Sequence, residues 1–97
     1  MTKQAAVYIL AIKRNGTIYV GVTTHIIQRI WQHRNNQFTG FTQKYRVHSL
    51  VFFEFHESIS QAIVREKQLK SWNRQWKLSL IEKNNPHWTD LWEQIIQ

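Results

Sequence analysis

Glu66 is the residue whose position most plainly calls for chemistry. It falls inside an apolar stripe made by Ile59, Ala62, Ile63 and Leu69, seven residues after Ile59 and three after Ile63. A carboxylate on a packing face is costly unless a cation pairs with it. Two readings stand: a basic partner such as Arg29 (or water at the stripe's edge), and a divalent-metal ligand. Upstream, His25, Arg29 and His33 recur at i, i+4 and i+8, which sets a guanidinium and two imidazoles along one edge of a helix. Downstream, Lys67, Lys70, Trp72, Arg74, Trp76 and Lys77 interleave cations with indoles. That pattern suits backbone contact and base stacking, although tryptophans at i and i+4 equally pin a helix to a core. The chain has no cysteine, which removes thiolate zinc sites, disulfides and cysteine nucleophiles. Neither a glycine-rich phosphate loop nor a zinc-type histidine pair is present.

The elements that would position these residues are legible. Ala5–Ile12 and Thr17–Val22 are apolar or β-branched runs joined across Asn15-Gly16, a strong hairpin signal. A type I′ turn there sets Ile12 opposite Tyr19 and Leu10 opposite Gly21. Val7, Ile9, Ala11, Ile18, Val20 and Val22 then share the core face. Tyr8, Leu10, Ile12, Thr17, Tyr19 and Gly21 share the other, so both hairpin tyrosines point the same way and Gly21 leaves space beside Leu10. Thr23 or Thr24 is expected to cap a helix to about Arg34, with its stripe at Ile26, Ile27, Ile30 and Trp31. Asn35 to Arg46 reads as a polar loop carrying Phe38, Phe41 and Tyr45, and His48–Phe55 as a buried strand. Ser58 and Gln61 form a capping box for a helix to about Trp72. A helix from Arg74 to about Lys83 stops at Asn84-Asn85-Pro86, and a short one follows from Thr89. With no repeat and no linker, residues 1–97 are expected to form one domain.

The formal net charge of +7 is unevenly spread. Residues 1–53 hold seven basic residues (Lys3, Lys13, Arg14, Arg29, Arg34, Lys44 and Arg46) and no acidic one, whereas residues 54–97 hold six of each. A half-chain without a carboxylate is what a phosphate-facing surface looks like, and nucleic acid is the expected partner. Solubility or an acidic protein partner is the competing explanation. The first apolar run is eight residues, far short of a membrane span, and Lys13-Arg14 follows where a signal peptide would carry its cleavage site. A cytoplasmic protein without a membrane segment is expected.

Tyr8 in Val7-Tyr8-Ile9 and Tyr19-Val20-Gly21 eleven positions later resemble the paired tripeptides of the GIY-YIG endonuclease superfamily. Arg29, ten residues beyond Tyr19, His33 four further on, and Glu66 on a later helix match the family's arginine, its histidine and its metal-binding glutamate. The tail, from Lys70-Ser71-Trp72 through Asn85-Pro86 to Trp88-Thr89-Asp90-Leu91, resembles small stand-alone bacterial members related to the N-terminal nuclease domain of the repair excinuclease. The first tripeptide lacks its glycine, and Val22 stands where the excinuclease relatives place a lysine; His33 would serve in its stead.

The resemblance implies an α+β fold with a small three-stranded antiparallel sheet flanked by helices. It implies a metal-dependent endonuclease that hydrolyses phosphodiester bonds in DNA, in repair or recombination. Glu66 would hold Mg²⁺ or Mn²⁺, with water and phosphate completing the shell. Arg29 would offer its planar fork to a phosphate oxygen. Tyr19 would accept the attacking water's proton, with His33 the competing general base, and Tyr8 would position water or phosphate. Arg34, Lys44, Arg46 and Lys70 would contact the nucleic-acid backbone. Asn85 matches an asparagine that assists near the metal in some members, or is simply a helix stop. A non-catalytic nucleic-acid-binding module with the same basic face, or an interaction domain that kept the fold and lost activity, are the alternative functions.

Overall fold

Ala5–Ala11 contains no polar interruption except Tyr8, the pattern of a strand covered on both faces. The computed structural model describes residues 4–35 and 48–97 and shows this strand, β1, as the middle of a three-stranded antiparallel sheet. Its neighbours are β2 (Ile18–Thr23) and β3 (Ser49–His56), in the order β2-β1-β3. Helix α1 (Ile26–Arg34) follows β2, and α2 (Ile59–Ser71), α3 (Arg74–Asn84) and the single turn α4 (Trp92–Ile95) follow β3. The fold is therefore α+β, with a three-stranded antiparallel sheet flanked by helices. Lys44 and Arg46, with Phe38, Phe41 and Tyr45, lie outside the described residues. Among the described residues no helix is long and apolar enough to cross a membrane.

The hairpin keeps its faces but not its expected register. Tyr8 pairs with Gly21 and Leu10 with Tyr19, two residues away from the type I′ alignment. The loop is longer: Ile12 N–H bonds to Thr17 C=O, and Gly16 N–H closes a turn onto Lys13 C=O at 2.9 Å. Asn15, at φ 59°, supplies the left-handed residue of that turn. A shift of two residues preserves the side-chain alternation, so Tyr8 and Tyr19 still share a face. Arg74, at the start of α3, donates to the carbonyls of Asn15 and Gly16 at 2.9 and 2.7 Å and clamps the turn.

Both faces of the sheet are core, where the sequence suggested one. Val7, Ile9, Ala11 and Val20 pack with Val51, Phe52, Ala62, Leu69, Ile81 and Trp88 under α2 and α3. Ala6, Tyr8 and Leu10 pack with Ile26, Ile30 and Leu50 under α1. An irregularity in the β1–β3 pairing, with Ile9 opposite Phe52 but Leu10 opposite Leu50, lets β3 feed both cores. Fully buried side chains such as Leu10, Ile30 and Leu50 each contribute about 1.5–3 kcal/mol.

Caps follow the sequence with one exception. Ser58 accepts the Gln61 N–H and opens α2, and Asn73 accepts the Trp76 N–H and opens α3. Helix α1 is entered through His25, whose N–H is taken by the Thr23 hydroxyl at 3.0 Å. Thr23 thus braces the strand-to-helix turn and is not the cap itself. The tail is sewn to β3: Leu91 N–H reaches Leu50 C=O at 2.7 Å, and Asp90 accepts the Leu50 and Trp92 N–H groups.

Candidate active site

Tyr8 is the centre of the cluster. Its side chain is 1% exposed, because β1 is the middle strand and α1 covers this face. Across the hairpin stands Gly21, where a Cβ would collide with both Cζ and Oη of Tyr8. The glycine makes room for the tyrosine ring directly opposite it, not for Leu10 as the expected register had it. Tyr8 Oη lies 3.1 Å from His33 Nε2, and the Arg29 side chain also hydrogen-bonds to Tyr8. Burial raises the Tyr8 phenol far above its ordinary titration range, with Tyr19 and Glu66 adding to the effect and Arg29 opposing it. Tyr8 therefore stays protonated. It accepts from Arg29, which can only donate, and its hydroxyl shares a hydrogen bond with His33 Nε2.

His33 sits one turn beyond Arg29 on α1 and is 4% exposed. Its pKa is lowered to about 4, first by burial and then by the charges of Arg29 and His48. The imidazole is neutral at physiological pH with Nε2 turned to Tyr8. This has a pH consequence. The unfolded chain's imidazole takes up a proton near pH 6.5, whereas the native one resists until about pH 4. The stability present above pH 6.5 is expected to fall as pH drops through that window. Thermal melts between pH 7.5 and 4 check this: His33→Gln should show a shallower decline than wild type, and an unchanged slope would sink the assignment.

Tyr19 completes the aromatic group, with ring centroids 6.4 Å from Tyr8 and 5.6 Å from His33. It is half-buried, so its rim is open where Tyr8 is sealed. On the other side of Arg29 is a cavity of about 170 Å³ lined by Thr23, Thr24, His25, Gln28, Arg29 and Gln32. The sequence reading gave no site role to Thr24, Gln28 or Gln32. A signal for the two glutamines was present, because Gln28 and Gln32 flank Arg29 at i−1 and i+3, and the i+3 position neighbours it on a helix.

Glu66 reaches this group from α2 and is one of the charges acting on Tyr8. Its side chain is 15% exposed, and Lys70 Nζ sits 2.9 Å from Oε2. Lys70, one helical turn away, is thus a partner of the carboxylate. Ala62 and Leu69 are fully buried beside it, while Ile59 and Ile63 are exposed, so the stripe is narrower than the sequence suggested. No group of three or more His, Cys, Asp or Glu side chains able to hold a metal ion occurs among the described residues. The site offers one hard oxygen donor, with an ammonium already standing where a cation would. That donor set fits an ion of the Mg²⁺ type, which keeps several waters and shares its shell with substrate phosphate.

The proposed backbone contacts fare differently. Arg34 forms an ion pair with Asp90 and lies 5.2 Å over the Trp92 ring, tying α1 to the tail. Lys70 is held by Glu66. Both are engaged by acidic residues of the second half, and the pairing of Arg34 reduces the one-sided charge of the first half. Trp72, just past the end of α2, packs against the core, while Trp76 on α3 is 57% exposed. They meet edge to face at 5.9 Å. Asn85 is spent on structure: its amide donates to Val51 and Thr89 carbonyls and accepts the Thr89 N–H.

A family model described as the GIY-YIG catalytic domain matches residues 4–79. The chain is similar to a UPF0213 protein of Staphylococcus saprophyticus, 36% identical over 77 residues that cover 78% of this chain and 94% of the relative. A UPF0213 protein of Staphylococcus haemolyticus is 38% identical over 77 residues, covering 79% and 93% respectively. One from Staphylococcus aureus is 34% identical over 69 residues, covering 71% and 84%. No solved structure matches the chain.

Proposed function

Because the chain belongs to the GIY-YIG catalytic-domain family, a nuclease family, we propose that it is a metal-dependent endonuclease hydrolysing phosphodiester bonds in DNA, as one domain in the cytoplasm. The observation that carries the reading is the convergence of Tyr19, Arg29, His33 and Glu66 on the sealed phenol of Tyr8. A module that only bound nucleic acid would gain nothing from placing a largely buried carboxylate there.

Each residue has a separable task. Arg29 binds a non-bridging phosphate oxygen from the side where the polar cavity opens. Tyr19, with its accessible rim, relays the proton of the water that attacks phosphorus. His33 is less suited to that step, since it is buried and its Nε2 is already engaged with the Tyr8 hydroxyl. Tyr8 and His33 are positioning residues that fix Arg29 beside the phosphate. Glu66 would hold the divalent ion, which when bound supplies charge stabilisation on the phosphate and the leaving oxygen.

The test is a panel of labelled branched, nicked and linear DNAs with Mn²⁺. Tyr19→Phe is expected to fold normally and to cut cleavage by roughly 100-fold or more, the scale of lost acid–base assistance. Tyr8→Phe should instead lower stability by about 1 kcal/mol, since it removes a buried hydrogen bond. Equal cleavage by wild type and Tyr19→Phe would take Tyr19 out of the reaction.

A further inference from the structure

Lys70 holds a contact that was not expected of it from the sequence. One turn after Glu66, it places its ammonium 2.9 Å from Oε2, with its own side chain 49% exposed while Glu66 is 15% exposed. A carboxylate so far removed from water needs a counter-charge at all times. Ordinarily a buried ion pair supplies it permanently. Here the two partners differ: the carboxylate is fixed among buried neighbours, and the lysine stem has water on one side. A long flexible side chain at such an edge leaves its partner at little cost, because the ammonium is hydrated as soon as it swings out.

Resting on the proposed role of Glu66 as a metal ligand, we infer that Lys70 is the resident counter-ion of the metal site, displaced each time a divalent cation binds. The metal-free protein is thereby spared a stranded carboxylate. Metal binding requires breaking the Lys70–Glu66 pair and moving an ammonium away from an incoming dication. Lys70 thus weakens metal affinity without touching the metal. Its neighbour Lys67 lies on the same helix, is exposed and adds the same formal charge, yet among the described ion pairs it has none with Glu66. It is the natural control for charge alone.

The readout is direct Mn²⁺ binding to the intact chain, followed by the electron paramagnetic resonance of free Mn²⁺. Lys70→Met is expected to bind Mn²⁺ about fivefold more tightly than wild type, the scale of removing one nearby like charge and one solvent-screened pair. Lys70→Arg, which keeps a cation in reach, should stay within about twofold of wild type. Lys67→Met should change affinity less than twofold. Circular dichroism confirms that each variant is folded, and the conservative Lys70→Arg keeps the comparison usable should Lys70→Met melt early. Unchanged or weaker binding by Lys70→Met overturns the inference, as does an equal gain in Lys67→Met. Glu66→Gln separates the two levels: if it loses Mn²⁺ binding while Lys70→Met gains none, only the counter-ion role fails. If Glu66→Gln binds Mn²⁺ as wild type does, the metal-ligand role fails and this inference with it.

Discussion

Glu66→Gln is expected to lose DNA cleavage by about 1,000-fold or more while melting within about 1 kcal/mol of wild type. The activity loss follows from the donor set, since a neutral amide is a poor ligand for a hard dication and metal-ion charge stabilisation contributes several kcal/mol to such a reaction. The near-neutral stability follows from the partner. Neutralising the sole partner of an enclosed arginine would strand a buried cation at about 3–5 kcal/mol. Glu66 has Lys70 as a partner, half-exposed on the next turn, which turns to water when the carboxylate charge is gone. A helical i,i+4 pair of this kind is worth only a few tenths of a kcal/mol. Cleavage assays and melts with and without Mn²⁺ check both halves. Retained cleavage would remove Glu66 from the chemistry, and a drop of several kcal/mol in the metal-free protein would make it structural.

Gly21→Ala, a single methyl group, is expected to lower stability by about 1–3 kcal/mol, the cost of overpacking a filled core, and to cut cleavage by about 100-fold. The new Cβ would fall far inside contact distance of Tyr8 Cζ and Oη, while the Tyr8 ring is held between α1 and the sheet with its surface sealed. The ring must move, which breaks the bond to His33 and releases Arg29, and a displacement of about 1 Å at a catalytic group costs rate on that scale. A double-mutant cycle isolates the cause. In a Tyr8→Leu background, which has no phenol to displace, Gly21→Ala should cost far less than it does alone. Additive losses would show that the glycine is needed for the strand and not for the tyrosine.

Several features were fixed by the order of residues alone, because their physics is local. Ser58 with Gln61 marks a helix start that the structure reproduces, since a cap is a bond between residues three apart. Strand alternation puts Tyr8 and Tyr19 on one face even though the turn is longer than its Asn-Gly pair implies, because a two-residue register shift leaves parity intact.

What tertiary structure decided was burial and partnership, which depend on elements distant in sequence. Nothing near Tyr8 in the chain says that α1 will seal it. The expected hairpin gave Gly21 to Leu10; the longer loop, clamped by Arg74 from 58 residues away, gave it to Tyr8. Arg34 reads as a free cation until Asp90, 56 residues on, is folded against it. Lys70 stands one turn from Glu66 in plain view, but only the packing of Ala62 and Leu69 into the core turns that ordinary surface spacing into an ion pair at the mouth of the site. Periodicity shows which side chains share a face; it takes the assembled core to show which of those faces is left to water, and so which charges remain free to act.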